Sequence, residues 1–334
     1  MFPPDIIFNQ MLETWDGSSR TLFKNFLATN SGIAKWMISA DYCLRDSTRA
    51  NDCYAFSIIP YRESFSDLTH SIRAALPKDI KKARYLSQAG VDLLMETHIF
   101  HIAIVVPKDR DIFNNGPASN PLEISREVAQ ITFDQAREME RGDAALQPLR
   151  KMVEAARAKR FNYELYGDLL LLGFFFPFVS LLLNRERKAE IIGWISDRDN
   201  MTTWGDGVVW NNAIENFRGL GELSQIDVEG TRVCIAVPDQ QSGPTWLDEL
   251  IRLPDYFAGT IAAWNAPANE LSDQPKSLLF VQMLEHVFAN APNSVILKLD
   301  IGGAGLCWRR LEIRLNDGHT RVPLGPQPDL LSTE

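Results

Sequence analysis

Trp246 to Trp264 reads WLDELIRLPDYFAGTIAAW. At helical spacing Leu250, Ile251, Pro254, Phe257, Ala258, Ile261 and Ala262 fall on one apolar face. Asp255 and Gly259 stand beside that face, one turn apart, where a glycine lets a neighbour come close. An acid next to a buried stripe needs compensation, because an unpaired buried charge is costly or shifts its pKa. Two local roles fit Asp255. Pro254 as the first residue of a helix would place Asp255 at the positive end of the macrodipole. Alternatively, the helix presents Asp255 as a metal ligand to carboxylates on strand ends. Other acids in the chain bear on that choice.

Upstream, three apolar runs end in acids. Lys35 to Leu44, KWMISADYCL, alternates as a strand, with Trp36, Ile38 and Ala40 opposite Met37, Ser39 and Asp41. Ala189 to Ser196, AEIIGWIS, reads as a buried strand followed by Asp197-Arg198-Asp199. Arg232 to Val237, RVCIAV, is another strand, followed by Pro238-Asp239. Asp52 to Tyr61 pairs with the first strand as a hairpin across the polar RDSTRAN, and His98 to Val106, HIFHIAIVV, suits a strand buried on both faces. Ser64 to Met95 is helical with an interruption at Leu76-Pro77, and Pro121 to about Asn184 is helical with a break near Gly142-Asp143. A helix follows from about Thr203 to Arg218. Beyond the linker-like Ala266 to Lys276 come a helix near Ser277 to Asn290 and strands at Val295 to Ile301 and Leu306 to Leu315. The alternation predicts an α/β sandwich with a mixed sheet. Acids gathered at the carboxyl ends of parallel strands, with one on a facing helix, suit a hard divalent cation.

The 334 residues are 45% hydrophobic and 23% charged, as in an ordinary folded protein, and the net charge of -9 leaves no global basic field to draw in nucleic acid. A local basic groove would still serve. Cys43, Cys53, Cys234 and Cys307 are widely spaced without a Cys-x-x-Cys pair, which argues against zinc thiolate ligation and a disulfide framework. MFPPDIIFNQ lacks a basic region followed by an apolar run, so the cytoplasm is expected. Leu169 to Leu183, LLLLGFFFPFVSLLL, falls short of a bilayer span and contains Pro177, so a buried core helix, kinked there, is expected and no membrane partner.

The order of elements resembles the RNase H-like family known as domain of unknown function 3800. Members open with a strand ending Asp-x-Ser-Gly, to which Ala40-Asp41-Tyr42-Cys43 is similar, with Tyr42 and Cys43 departing from the motif. A later strand ends in an acid, as does Ile195-Ser196-Asp197-Arg198-Asp199. The closing helix Leu-Gln-x-Ala-Asp-x-x-Ala-Gly resembles Ile251-Arg252-Leu253-Pro254-Asp255-Tyr256-Phe257-Ala258-Gly259, where Arg252 replaces Gln and Pro254 the small residue. The resemblance spans roughly residues 33–265. It implies an RNase H-like α/β domain there, a lead-in over 1–32, and a C-terminal α/β extension over 266–334.

The resemblance further implies a metal-dependent phosphodiesterase acting on nucleic acid, with Asp41, Asp197 and Asp255 as catalytic ligands for Mg²⁺ or Mn²⁺. The alternative is a binding or scaffold protein that kept the fold and lost the metals. Asp197 and Asp199 compete for the middle position. Asp197 ends the apolar run and is preferred, leaving Asp199 as a supporting or turn residue. Asp206 reads as a capping partner in Thr203-x-x-Asp206, and Asp239 suits an Asx-turn as well as it suits metal contact. His98 and His101, three apart in a strand, face opposite sides and read as core or interface histidines. Gly302 to Gly305 reads as a hairpin turn. The basic clusters Lys78 to Arg84, Arg157 to Arg160 and Arg185 to Lys188 suit solvated helix faces or phosphate contact.

Overall fold

The β-branched runs and the alternating first strand all enter one mixed sheet of seven strands. They are β1 (Lys35–Cys43), β2 (Asp52–Pro60), β3 (Phe100–Val106), β4 (Ile191–Ser196), β5 (Arg232–Ala236), β8 (Ser294–Gly302) and β9 (Gly305–Leu311). Two short strands, β6 (Trp264–Asn265) and β7 (Glu270–Leu271), pair apart from them. In this computed structural model the described residues are 4–78, 80, 83–110, 112–113, 120–138, 142–237, 245–268, 270–271, 277–289, 291–302 and 305–326.

The order across the sheet is β5-β4-β1-β2-β3-β8-β9. β1, β2 and β3 form an antiparallel meander, while β4 lies parallel to β1 and β5 parallel to β4. That five-strand arrangement, flanked by helices, is an RNase H-like α/β sheet. β8 adds parallel to β3 and β9 closes the edge as its antiparallel partner. The C-terminal part of the chain thus adds two strands to the same sheet. The free edge of β3 carries unpaired backbone groups, and Ser294–Gly302 satisfies them.

The helices are α1 (Pro4–Ser18), α2 (Arg20–Thr29), α3 (Phe65–Ala75), α4 (Gln88–Leu94), α5 (Pro121–Glu138), α6 (Asp143–Ala156), α7 (Tyr163–Glu186), α8 (Asn200–Thr203), α9 (Val208–Leu223), α10 (Trp246–Ala263) and α11 (Ser277–Gln282). α11 continues as a π-helix, Met283–Phe288. Trp15 of α1 and Phe23 and Phe26 of α2 pack edge-on and tilted against Phe100, and Phe26 against Trp36. Opposite them, Met37, Ala55, Ile59 and Ala103 of the sheet meet Leu250, Leu253, Phe257 and Ile261 of α10. α10 is thus buried on nearly all sides, which its one-sided apolar stripe understates.

By its contacts the chain forms two compact units. One compact unit holds Gln10–Lys108, Ala189–Asp197 and Thr231–Glu334, and so contains the whole sheet. The other holds Met1–Asn9, Asp109–Lys188 and Arg198–Gly230, a helical unit. There α7 runs as one helix through Pro177 rather than ending at it, and a break at 157–162 separates it from α6, where Asn162 Oδ1 caps the Leu165 N–H at 3.0 Å. α7 is long and apolar enough to cross a membrane, yet most of it is buried, as a core helix requires.

Candidate functional site

β1 presents alternate residues to α10. Met37 enters the core beneath it, Ser39 Oγ donates to the Leu250 carbonyl at 2.8 Å, and Asp41 follows two residues on. Ala40 is in register with Ser196, so Asp197, just past the end of β4, lies beside the Asp41 position. The strand-end convergence expected of an α/β sheet is therefore built from two neighbouring parallel strands.

Asp255 arrives from the helix side. Pro254 is the ninth residue of the eighteen-residue α10, so it is no helix start and Asp255 gains nothing from the N-terminal dipole. The helix begins at Trp246, where the Asp248 carboxylate accepts from the Thr245 N–H at 2.5 Å and its hydroxyl at 3.0 Å. At the far end Asn51, in the β1–β2 connection, donates its side-chain amide to Ile261 O (3.1 Å) and Trp264 O (2.6 Å). Its backbone N–H reaches Ala262 O at 2.9 Å. These are carbonyls a helix end leaves without partners, so one asparagine ties the end of α10 to the hairpin that carries Asp41. Arg252 pairs with Glu249 at 2.6 Å and donates to Leu76 O at 2.6 Å, and Arg73 joins Glu249 at 3.0 Å. A Cβ at Gly259 would stand 3.2 Å from Ile80 Cδ1, so the close approach there is to the α3–α4 connection.

Held this way, Asp41 and Asp255 are hydrogen-bonded carboxyl to carboxyl, an arrangement in which one of them carries the proton. The Asp41 carboxyl is held well above the usual carboxylate range. Loss of hydration is the largest cause, followed by the charge of Asp255 and the hydrogen bond to it, with Asp197 adding a smaller push. The Tyr42 N–H, donated to Asp41 Oδ1 at 2.9 Å, acts the other way. Asp255 is half-buried and Asp197 exposed. Among the described residues, no three His, Cys, Asp or Glu side chains gather tightly enough to hold a metal ion. The structure thus joins Asp41 to Asp255 and leaves Asp197 within electrostatic reach. Oxygen donors under mutual repulsion are the chemistry a hard divalent cation satisfies, so the residues present suit such an ion.

The remaining acids go elsewhere. Asp199 caps α8: Oδ1 accepts from Thr202 N–H at 2.7 Å, and Thr202 Oγ1 accepts from Asp199 N–H at 3.0 Å. This reciprocal pair sits four residues ahead of the one expected at Thr203 and Asp206. Gly207, at φ 76°, breaks the chain there and starts α9 afresh. Asp206 ends a 3-10 turn, its side chain outside the described residues, and Asp239 lies outside them altogether. His98 Nδ1 lies 2.9 Å from Arg62 Nη2. His101 is buried, stacked on Phe257 at 4.1 Å between centroids, with Nδ1 2.8 Å from Ser57 Oγ; burial lowers its pKa to about 3. β8 and β9 pair as a hairpin across the glycine-rich turn, with 303–304 outside the described residues. Lys188 meets Asp227 at 2.5 Å on an exposed surface, as a solvated helix end would. Sequence reading passed over Ser39 and Asn51, whose only local signals are an inward-facing hydroxyl in a strand and an amide at a hairpin end.

No protein-family model, curated protein or solved structure matches the chain.

Proposed function

We propose that the chain is a divalent-metal-dependent phosphodiesterase acting on nucleic acid, in keeping with its resemblance to the RNase H-like family. The observation that carries this reading is the contact of two acids, Asp41 and Asp255, from distant parts of the chain. A perturbed acid at the carboxyl end of neighbouring parallel strands is a candidate functional group. Asp41 and Asp255 would hold Mg²⁺ or Mn²⁺, with Asp197 of the adjoining strand end as the third donor. Once bound, such ions supply the charge that activates water and stabilises the leaving oxygen of a phosphodiester. The chain's own contribution is to keep the acids converged: Asn51 and Ser39 hold α10, and the Tyr42 hydroxyl, 2.9 Å from Ser196 Oγ, links the ends of β1 and β4.

A cytoplasmic setting accords with the cysteines, which are unpaired. Cys43, two residues beyond Asp41, is pushed up to about 11, chiefly by burial, and a thiol so raised is a poor nucleophile. The scaffold reading has one observation in its favour, the exposure of Asp197.

The deciding experiment is thermal unfolding of wild type and Asp255→Asn with and without millimolar Mn²⁺, beside cleavage assays on single- and double-stranded DNA and RNA. Metal should raise the wild-type melting temperature and leave the variant unmoved, with cleavage only where metal binds. An unchanged wild-type melting temperature decides for the scaffold.

A further inference from the structure

Pro254 has no N–H, so the carbonyl four residues earlier in α10, that of Leu250, lacks the helical partner it would otherwise have. The Ser39 hydroxyl takes that place, donating to Leu250 O at 2.8 Å from the middle of β1. Both residues are fully buried, where a lone carbonyl or a lone hydroxyl would be left without water. The two irregularities, a proline inside a helix and a serine in the apolar face of a strand, answer each other.

Their placement gives the contact a second meaning. Ser39 and Asp41 share the face of β1 turned to α10, about 7 Å apart along the strand. Asp255 directly follows Pro254. The tether therefore lies beside both halves of the acid pair. A helix free to slide along the sheet would carry Asp255 away from Asp41. We propose that Ser39, through the carbonyl that Pro254 releases, is a positioning residue that sets how closely Asp255 approaches Asp41. Asn51 fixes the far end of the same helix, so slippage is opposed on both sides of Asp255.

The test uses Ser39→Ala, Pro254→Ala and the double variant, each measured for urea midpoint and for Mn²⁺ affinity by calorimetry. Only the metal arm rests on the phosphodiesterase reading. Ser39→Ala should lower the midpoint and weaken Mn²⁺ binding by roughly ten-fold, the scale seen when outer partners of metal ligands are removed. Pro254→Ala restores an N–H to Leu250 O. In that background Ser39→Ala should move the midpoint by less than half as much, while Mn²⁺ affinity stays weak because the strand no longer grips the helix. Wild-type affinity in Ser39→Ala, or equal midpoint losses in the two backgrounds, overturns the proposal. Should wild type bind no Mn²⁺, the metal reading fails, and crystals of wild type and Ser39→Ala decide the positioning. Loss of the Asp41–Asp255 contact in the variant upholds it, and an unchanged contact overturns it.

Discussion

Asp168 in the helical unit and Asp41 in the sheet unit are both acids embedded in apolar elements, and they have opposite neighbours. Asp168 opens the apolar run of α7 and meets Arg110, Nη2 to Oδ1 at 2.5 Å, with both side chains all but sealed from solvent. Asp41 meets another acid. A carboxylate beside a guanidinium is a closed account in which each charge answers the other. Two carboxyls in contact repel once both have lost their protons, and the fold holds them together through Asn51, Ser39 and the core around α10. Asp168 thus has a partner of opposite charge, and Asp41 one of its own kind.

The largest effect expected from this contrast lies at the ion pair. Asp168→Ala would leave Arg110 charged and buried, a change that costs about 3–5 kcal/mol. Urea unfolding of the variant reads it. A loss below 1 kcal/mol would place Asp168 among acids that contribute little and blunt the comparison.

A second test concerns His101, which is held neutral by burial at about 3 against an ordinary value of 6.5. Between those values the unfolded chain binds the extra proton, so stability is fully present above pH 6.5 and falls as pH drops toward 3. The slope approaches about 1.4 kcal/mol per pH unit, or roughly 2 kcal/mol between pH 6.5 and 5. Asp41 is displaced the other way and contributes a slope of opposite sign, so the wild-type profile sums the two. His101→Gln isolates them: the acid-side decline should flatten by about that amount, and an unaltered slope would show that His101 takes up its proton readily in the fold.

Much of this contrast is legible before folding, and the limits are instructive. The strands β1, β3 and β4 follow from alternation and β-branched runs, since those patterns are local. Asp197 and Asp199, two apart, would share a face in a strand; the chain has left β4 by then, and Asp199 goes to a helix cap. Pro254 misleads, because the donor that lets it sit inside α10 lies 211 residues away at Ser39 and leaves no local trace. The strand character of Val295 to Ile301 is readable, whereas its place beside β3 depends on which edge lies open. The separate helical unit is invisible for the same reason, being assembled from three stretches of chain. The pair Asp41 and Asp255 is legible through strand-end logic, but the exposure of Asp197 is not, since the turn beyond a strand decides where its carboxylate goes.

The smallest effect is the most telling about the acid pair. The raised Asp41 carboxyl means that the folded protein binds its proton more tightly than the unfolded chain does. That stability is present below the ordinary value of 3.8 and is lost as pH rises through the raised one, so at neutral pH the ionised group weighs against folding. Asp41→Asn removes the titrating charge while keeping a side chain able to hydrogen-bond Asp255. At pH 7.5 without divalent ions it should therefore be the more stable protein, as urea midpoints would show. The gain should shrink at pH 4, where the wild-type acid is already protonated. Millimolar Mn²⁺ should reverse the ranking, because an ion that binds only the wild-type pair stabilises that protein alone. Three outcomes then separate the readings of the site. A variant more stable without metal and less stable with it marks an acid pair kept for a cation. A variant more stable under both conditions marks a strained pair that no longer binds one. A variant less stable under both conditions means that Asp41 has a structural partner, like Asp168, and the contrast between the two acids dissolves.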